Sequence, residues 1–180
     1  LPYVYRNDVP VQDTDWPSFP YNDSFHDTEK MLLNELGRVY KHIQLRDWAA
    51  LAIRADLGTV ILPSIFGCPW KLTDNSMPWA DHLSSEKEVD ALIARGVPDP
   101  MNGLGVRCFE ICEQYKKILA PYEKISSHIR IFHPDLQGPF DVAHLIWGTE
   151  IYYALFDVPD KVHALMRLVT DAYVRFMDVW

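Results

Sequence analysis

Gln137-Gly138-Pro139-Phe140-Asp141-Val142-Ala143 decides the fold reading, because a glycine and a proline close a loop and the following residues continue at helical spacing. Pro139 has a fixed φ and no N–H to lose, which suits the first turn of a helix, and Gly138 lets the backbone approach a ligand closely. A helix that starts here turns free amides and a partial positive charge outward, and such ends favour anionic groups. Just upstream, residues 127–132 read as a strand with His128, Arg130 and Phe132 on one face and Ile129, Ile131 and His133 on the other. The stretch is thus a strand-end loop turning directly into helix, and loops of that kind hold the active sites of β/α enzymes.

Working outward, residues 49–56 alternate, with Leu51, Ile53 and Ala55 on one face and Ala52, Arg54 and Asp56 on the other. In a β/α barrel the apolar face meets the surrounding helices, small Ala52 fits the interior, and Arg54 and Asp56 reach the C-terminal mouth. A second apolar run, residues 60–62, reads as an extension of that strand or a brief strand of its own, ending in a Pro63-Ser64 loop. Helices are marked by their ends. Asp27 caps a helix to about residue 43, Ser85 with Glu88 forms a capping box for one that Gly96 stops, a third covers roughly residues 103–119 before Pro121, and the last begins at Pro159. In that last helix Val162, Leu165, Met166, Val169, Ala172, Tyr173, Phe176 and Trp180 form a core-facing stripe. Residues 1–26 read as an extended arm rich in proline and aromatic residues, whose Trp16, Phe19, Tyr21 and Phe25 pack on the body or on a partner; residues 27–180 form the barrel part. Helix, strand, helices, strand, helices is the order of a parallel α/β chain with right-handed crossovers.

With 48% hydrophobic residues the chain can bury a core, and a net charge of −8 argues against nucleic acid as a partner, since that binding needs a dense field of Lys and Arg. Neither a bilayer-length apolar run nor a signal peptide is present, so the expected location is the cytoplasm and no membrane contact is expected. Three cysteines leave at least one unpaired, against a secreted disulfide framework. Cys108 and Cys112 read as buried thiols without the spacing of a zinc site, and Cys68, in a loop, is the more reactive candidate of the three, although loop packing is its leading reading.

These motifs, in this order, resemble the uroporphyrinogen decarboxylase superfamily over residues 35–180. Ala52-Ile53-Arg54-Ala55-Asp56-Leu57-Gly58 looks like the family's early strand ending in an active-site aspartate, and Pro63-Ser64-Ile65-Phe66-Gly67 like the loop after it. Gln137-Gly138-Pro139-Phe140-Asp141-Val142-Ala143 is similar to its Gly-Pro-Phe-Thr-Leu-Ala motif. Asp157-Val158-Pro159-Asp160-Lys161-Val162-His163 is similar to its Asp-Pro-Glu-x-Val-His helix start, and Leu168-Val169-Thr170-Asp171 follows as in the family. The chain departs from the family in lacking its N-terminal Arg-Gln-Ala-Gly-Arg motif, although Leu1-Pro2-Tyr3-Val4-Tyr5-Arg6 looks like the Leu-Pro-Glu-Phe-Arg that follows it there. The resemblance implies an α/β fold, the N-terminal portion of a TIM (β/α)8 barrel, in a chain that is a fragment of a longer protein.

It also implies a function: decarboxylation of a carboxylated tetrapyrrole or related small molecule at the barrel mouth, without a cofactor. Asp56 takes the position of the aspartate that binds pyrrole N–H groups, where a carboxylate offsets the charge of a protonated ring. His133 is the second catalytic candidate, as a proton exchanger. Arg54, Ser64, Phe66, Gly67, Asp135, Gly138, Phe140 and His144 are candidates for binding substrate, with Arg54 offering its fork to a carboxylate. His144 has a packing or capping role as its alternative, and Asp135 a loop-closing one. Aligning on Pro139 puts Leu145 where the decarboxylases carry a tyrosine, which keeps a second reading open. In it the chain is a zinc-dependent methyltransferase of the same superfamily, working with a corrinoid or coenzyme M, its zinc ligands outside this chain. The third reading is a non-catalytic barrel remnant. A homodimer, or a second chain that completes the barrel, is the expected partner.

Overall fold

A computed structural model describes residues 15–83 and 85–180. Helices dominate: α1 (Tyr21–His26), α2 (Thr28–Leu45), α3 (Ile61–Ile65), α4 (Glu86–Arg95), α5 (Gly105–Leu119), α6 (Glu123–His128), α7 (Pro139–Trp147), α8 (Glu150–Asp157) and α9 (Pro159–Val179). Four two-residue strands accompany them among the described residues, β1 (Ala52–Ile53), β2 (Trp70–Lys71), β3 (Trp79–Ala80) and β4 (Arg130–Ile131). β1 pairs with β4 in parallel, and β2 with β3 antiparallel. None of these helices is long and apolar enough to cross a membrane.

The chain divides into two compact units, one running up to Asp56 and including Ile111–Phe132, the other made of Leu57–Glu110 and His133–Trp180. In the first unit Asp27 starts α2 by accepting the N–H groups of Glu29 and Lys30, which otherwise have no partner in the first helical turn. One face of α2 buries Met31, Leu32 and Val39 against the unit's core, which also holds Phe25, Ile53, Ala55, Ile111 and Tyr115. Burial alternates from Ala52 to Asp56 as expected, Ile53 and Ala55 being enclosed while Ala52, Arg54 and Asp56 are half-buried, but Leu51, expected on the enclosed face, is also half-buried. The ladder is short: Arg130 N–H donates to Leu51 O at 3.0 Å and Phe132 N–H to Ile53 O at 2.8 Å.

The arm expected over residues 1–26 falls partly outside the described residues, as does the Leu1 to Arg6 motif. From residue 15 onward the chain packs on α2. Trp16 lies against Gly37, where an added Cβ would stand 2.8 Å from the indole, stacks on Tyr40 and donates its Nε1–H to Leu33 O at 2.8 Å. Phe19 exchanges backbone hydrogen bonds with the Asn34 side chain. Beyond it the arm is helical, since α1 takes residues that were expected to be extended.

In the second unit α9 is the central element, packing on α7, α8, α4 and α3. Most of its stripe is buried as the spacing predicts, with Val162, Leu165, Val169, Ala172 and Phe176 enclosed, while Met166, Tyr173 and Trp180 are half-buried. Lys161 bonds Glu86 and Asp90, one turn apart on α4, and so ties the start of α9 to that helix. Ser85 caps α4 through the Glu88 N–H and Gly96 stops it, as expected. Pro139 opens α7 with Gly138 as its cap residue.

Three expectations are corrected. Residues 60–62 are not a strand: a 3-10 turn, Gly58–Val60, runs into α3, which also contains Pro63 and Ser64. The apolar run is buried on all sides, and complete burial removes the distinction between strand and helix patterning. The strand expected over residues 127–132 shrinks to β4, because α6 continues to His128. The strand expected over residues 49–56 is regular only at β1. The β2–β3 hairpin was not anticipated.

Gly105, at the start of α5, shows how tightly the second unit is closed. A Cβ there would lie 1.8 Å from the Pro100 carbonyl oxygen and 2.9 Å from Ile65 Cδ1. Gly105→Ala is expected to lower stability by about 3 kcal/mol or more through backbone displacement, measured as a shift of the urea unfolding midpoint.

Candidate functional site

Asp56 and Arg54, the first choices from sequence, belong to a charged network in the first unit whose other members are Glu35 and Arg38 of α2. Arg38 Nη1 donates to Glu35 Oε1 at 2.6 Å, and its Nη2 donates to Asp56 Oδ2 at 2.8 Å. The second Glu35 oxygen accepts the backbone N–H of Arg54 at 2.9 Å. Two phenols complete the surroundings. Tyr21 donates to the Asp56 carbonyl at 3.2 Å, and Tyr115 to the Arg54 carbonyl at 3.4 Å.

Burial and charge set the protonation of this group. Glu35 has only 5% of its side chain exposed, and burial pushes its carboxyl above the usual range, against the pull of the Arg38 guanidinium and the Arg54 N–H. Burial disfavours the Arg38 cation, but the bond to Asp56 and the charge of Glu35 outweigh it and raise its pKa. Burial, then nearby carboxylates, raises both phenols, so Tyr21 and Tyr115 act as neutral donors. The result is a guanidinium shared between two carboxylates at the carboxyl end of β1. Its pairs are charge-assisted hydrogen bonds, stronger than neutral ones.

The remaining candidates lie in the second unit. Ser64 is buried, donating to Ile61 O at 2.7 Å and accepting the Leu104 N–H at 2.9 Å, so its hydroxyl ties α3 to the approach of α5. With Ile65, Phe66, Gly67, Leu92, Arg95, Gly96, Pro98, Asn102 and Gly103 it lines a cleft of about 410 Å³. His133 bonds the Pro134 carbonyl through Nδ1 at 2.8 Å. Asp135 accepts from the Gln137 side chain at 2.6 Å, closing the loop through a side chain where a backbone bond was the alternative. At the start of α7, Asp141 supplies a carboxylate to the helix's positive end, the charge that an anionic ligand was expected to bring. Phe140 and His144 both lie against Tyr152, with ring centres 6.1 and 5.4 Å away, and His144 also faces His82.

Cys68 follows its packing reading. It is buried, and burial pushes its thiol up to about 11, away from the thiolate form that reacts. Cys108 is buried too, its thiol pushed up to about 12, whereas Cys112, expected to be buried, is half-buried.

Sequence reasoning placed Asp56 and Arg54 but missed Glu35, Arg38, Tyr21 and Tyr115 as their partners. One signal was present: Glu35 falls in the same helical rows as Met31, Leu32 and Val39, and a glutamate on a buried face needs a cation. No protein-family model, curated protein or solved structure matches this chain.

Two outcomes are expected. The folded chain holds the Glu35 proton to higher pH than the unfolded chain, so ionising Glu35 costs stability as pH climbs through the window between its unfolded and folded pKa values. Arg38 offsets that cost, so Arg38→Met should destabilise by on the order of 2 kcal/mol near neutral pH and by less in mild acid, with Glu35→Gln in the same chain restoring part of the loss. Urea unfolding at both pH values measures this. Under native conditions an aromatic disulfide reagent should label Cys112 well before Cys68 or Cys108, read by peptide mass mapping.

Proposed function

We propose that the chain is part of a β/α barrel of the uroporphyrinogen decarboxylase superfamily, and that it is a carboxy-lyase acting without a cofactor on a carboxylated tetrapyrrole or related substrate. The observation that supports this most is the parallel pairing of β1 with β4. Parallel neighbours require a crossover connection, and ligands of open or closed α/β sheets gather beyond the carboxyl ends of their strands. Asp56 lies just past the end of β1.

In the proposed reaction a proton adds to the pyrrole ring and makes it cationic. The electron pair of the bond to the departing carboxylate flows into the ring as carbon dioxide leaves, and a second proton is taken up by the carbon left behind while the ring proton is released. Asp56 offsets the ring's positive charge, Arg38 fixing the orientation of its carboxylate. Arg54 pairs with a substrate carboxylate through its guanidinium.

The test is anaerobic incubation of the intact protein with uroporphyrinogen, with products separated by chromatography. Carboxylate loss is expected without added metal, and Asp56→Asn should lower kcat by about 100-fold or more with unchanged circular dichroism. Unaltered turnover in that variant would remove Asp56 from the chemistry. Absence of decarboxylation together with zinc held by thiolates, seen as thiolate-to-cobalt absorption after metal exchange, would assign the chain to methyl transfer instead.

A further inference from the structure

His82 had no role in the sequence reading, and His144 was a candidate only through its place after the Pro139 motif. The second unit brings them together at the carboxyl end of α7. His82 follows β3, and its ring lies so close to Gly148 that a Cβ there would stand 3.0 Å from it. Its Nδ1 is 2.9 Å from the Leu145 carbonyl. The His144 ring, from the last turn of α7, is centred 6.1 Å from the His82 ring at an interplanar angle of 48° and 5.4 Å from the ring of Tyr152.

We propose that His82 and His144 form a binding site for a divalent transition ion of the zinc class. Three features of the pair support this. A carbonyl can only accept, so Nδ1 of His82 carries the proton and Nε2 keeps its lone pair. Metal-bound histidines are held in the same way, the second ring nitrogen donating to a backbone carbonyl that fixes tautomer and orientation. The spacing also fits. Imidazole nitrogens lie ~2 Å from a bound zinc ion, so two rings on one ion have centres roughly 5–6 Å apart, close to the 6.1 Å between these two. The field has the right sign as well, because carbonyls at the carboxyl end of a helix carry partial negative charge and attract cations.

Two imidazoles make an open site, with the remaining positions left to water or an incoming ligand. Among the described residues no group of three or more His, Cys, Asp or Glu side chains is placed to hold a metal, so micromolar affinity is expected, well short of a closed structural zinc centre. Imidazole donors select zinc-class ions over magnesium, which prefers oxygen. The proposal is independent of the decarboxylase reading, since it concerns neither Asp56 nor His133.

The experiment is calorimetric titration of the metal-stripped intact protein with Zn2+ and with Mg2+, beside histidine-selective long-range 1H–15N spectra. Zinc should shift the ring signals of His82 and His144 together, magnesium should leave both unmoved, and His82→Gln or His144→Gln should weaken this binding by about 10-fold or more. The ring signals report on the wild type directly, so the result does not hang on either variant folding. Zinc that shifts only other histidines, or affinity unchanged in a folded variant, would overturn the site.

Discussion

A single guanidinium between two carboxylates links α2 to the end of the β1 segment at the place where function is proposed. Arg38 reaches from α2 to Asp56 while also bonding Glu35, and Glu35 in turn takes a backbone N–H from the strand that carries Asp56. Helix and strand are therefore joined by side-chain charge as well as by the apolar contact of Met31, Leu32 and Val39 with the core. Glu35 carries most of the desolvation cost of this network, because 5% of its side chain is exposed against 55% of that of Arg38. It recovers it through near-complete pairing: both Glu35 oxygens are bonded, and the arginine fork is used at two nitrogens. The same bonds hold the Asp56 carboxylate in one orientation, the condition a charge-stabilising group has to meet.

The second unit is built on a different principle. Its organising element is a long amphipathic helix whose stripe meets four other helices, and its polar contacts sit at the ends of elements: Ser64 between α3 and α5, Lys161 between α9 and α4, His82 on the end of α7. Burial of the α9 face supplies the bulk of its cohesion, as it does for most helical packing.

What the sequence revealed follows the range over which each signal acts. Helix starts and stops were legible at Asp27, Ser85, Gly96, Pro139 and Pro159, because capping satisfies backbone groups within a few residues. Strand extents were not. The alternation around Ile53 and Ala55 was real, yet regular pairing covers two residues, and residues 60–62 fold as helix because their surroundings bury every face. The β2–β3 hairpin carried no tight-turn signal, since a long polar loop separates Lys71 from Trp79. Asp56 stood out as a charge on an alternating segment. Its partners came from another helix or from distant aromatics, and the packing that brings Arg38, Tyr21 and Tyr115 to it is invisible to local spacing. The same holds for His82, which reaches the end of α7 across 63 positions of chain.

The Glu35 bond to Arg54 also bears on how far β1 can be extended sideways. Leu51 and Ile53 turn their carbonyls to β4, so the Arg54 N–H emerges on the opposite border of the strand, where Glu35 already occupies it. A carboxylate seated there works as a stopper: a neighbouring strand zipping along that border has to end short of Arg54 or expel a glutamate from its arginine. A slip of one residue along that border would also present the side chain of Arg54 to the opposite face of the strand.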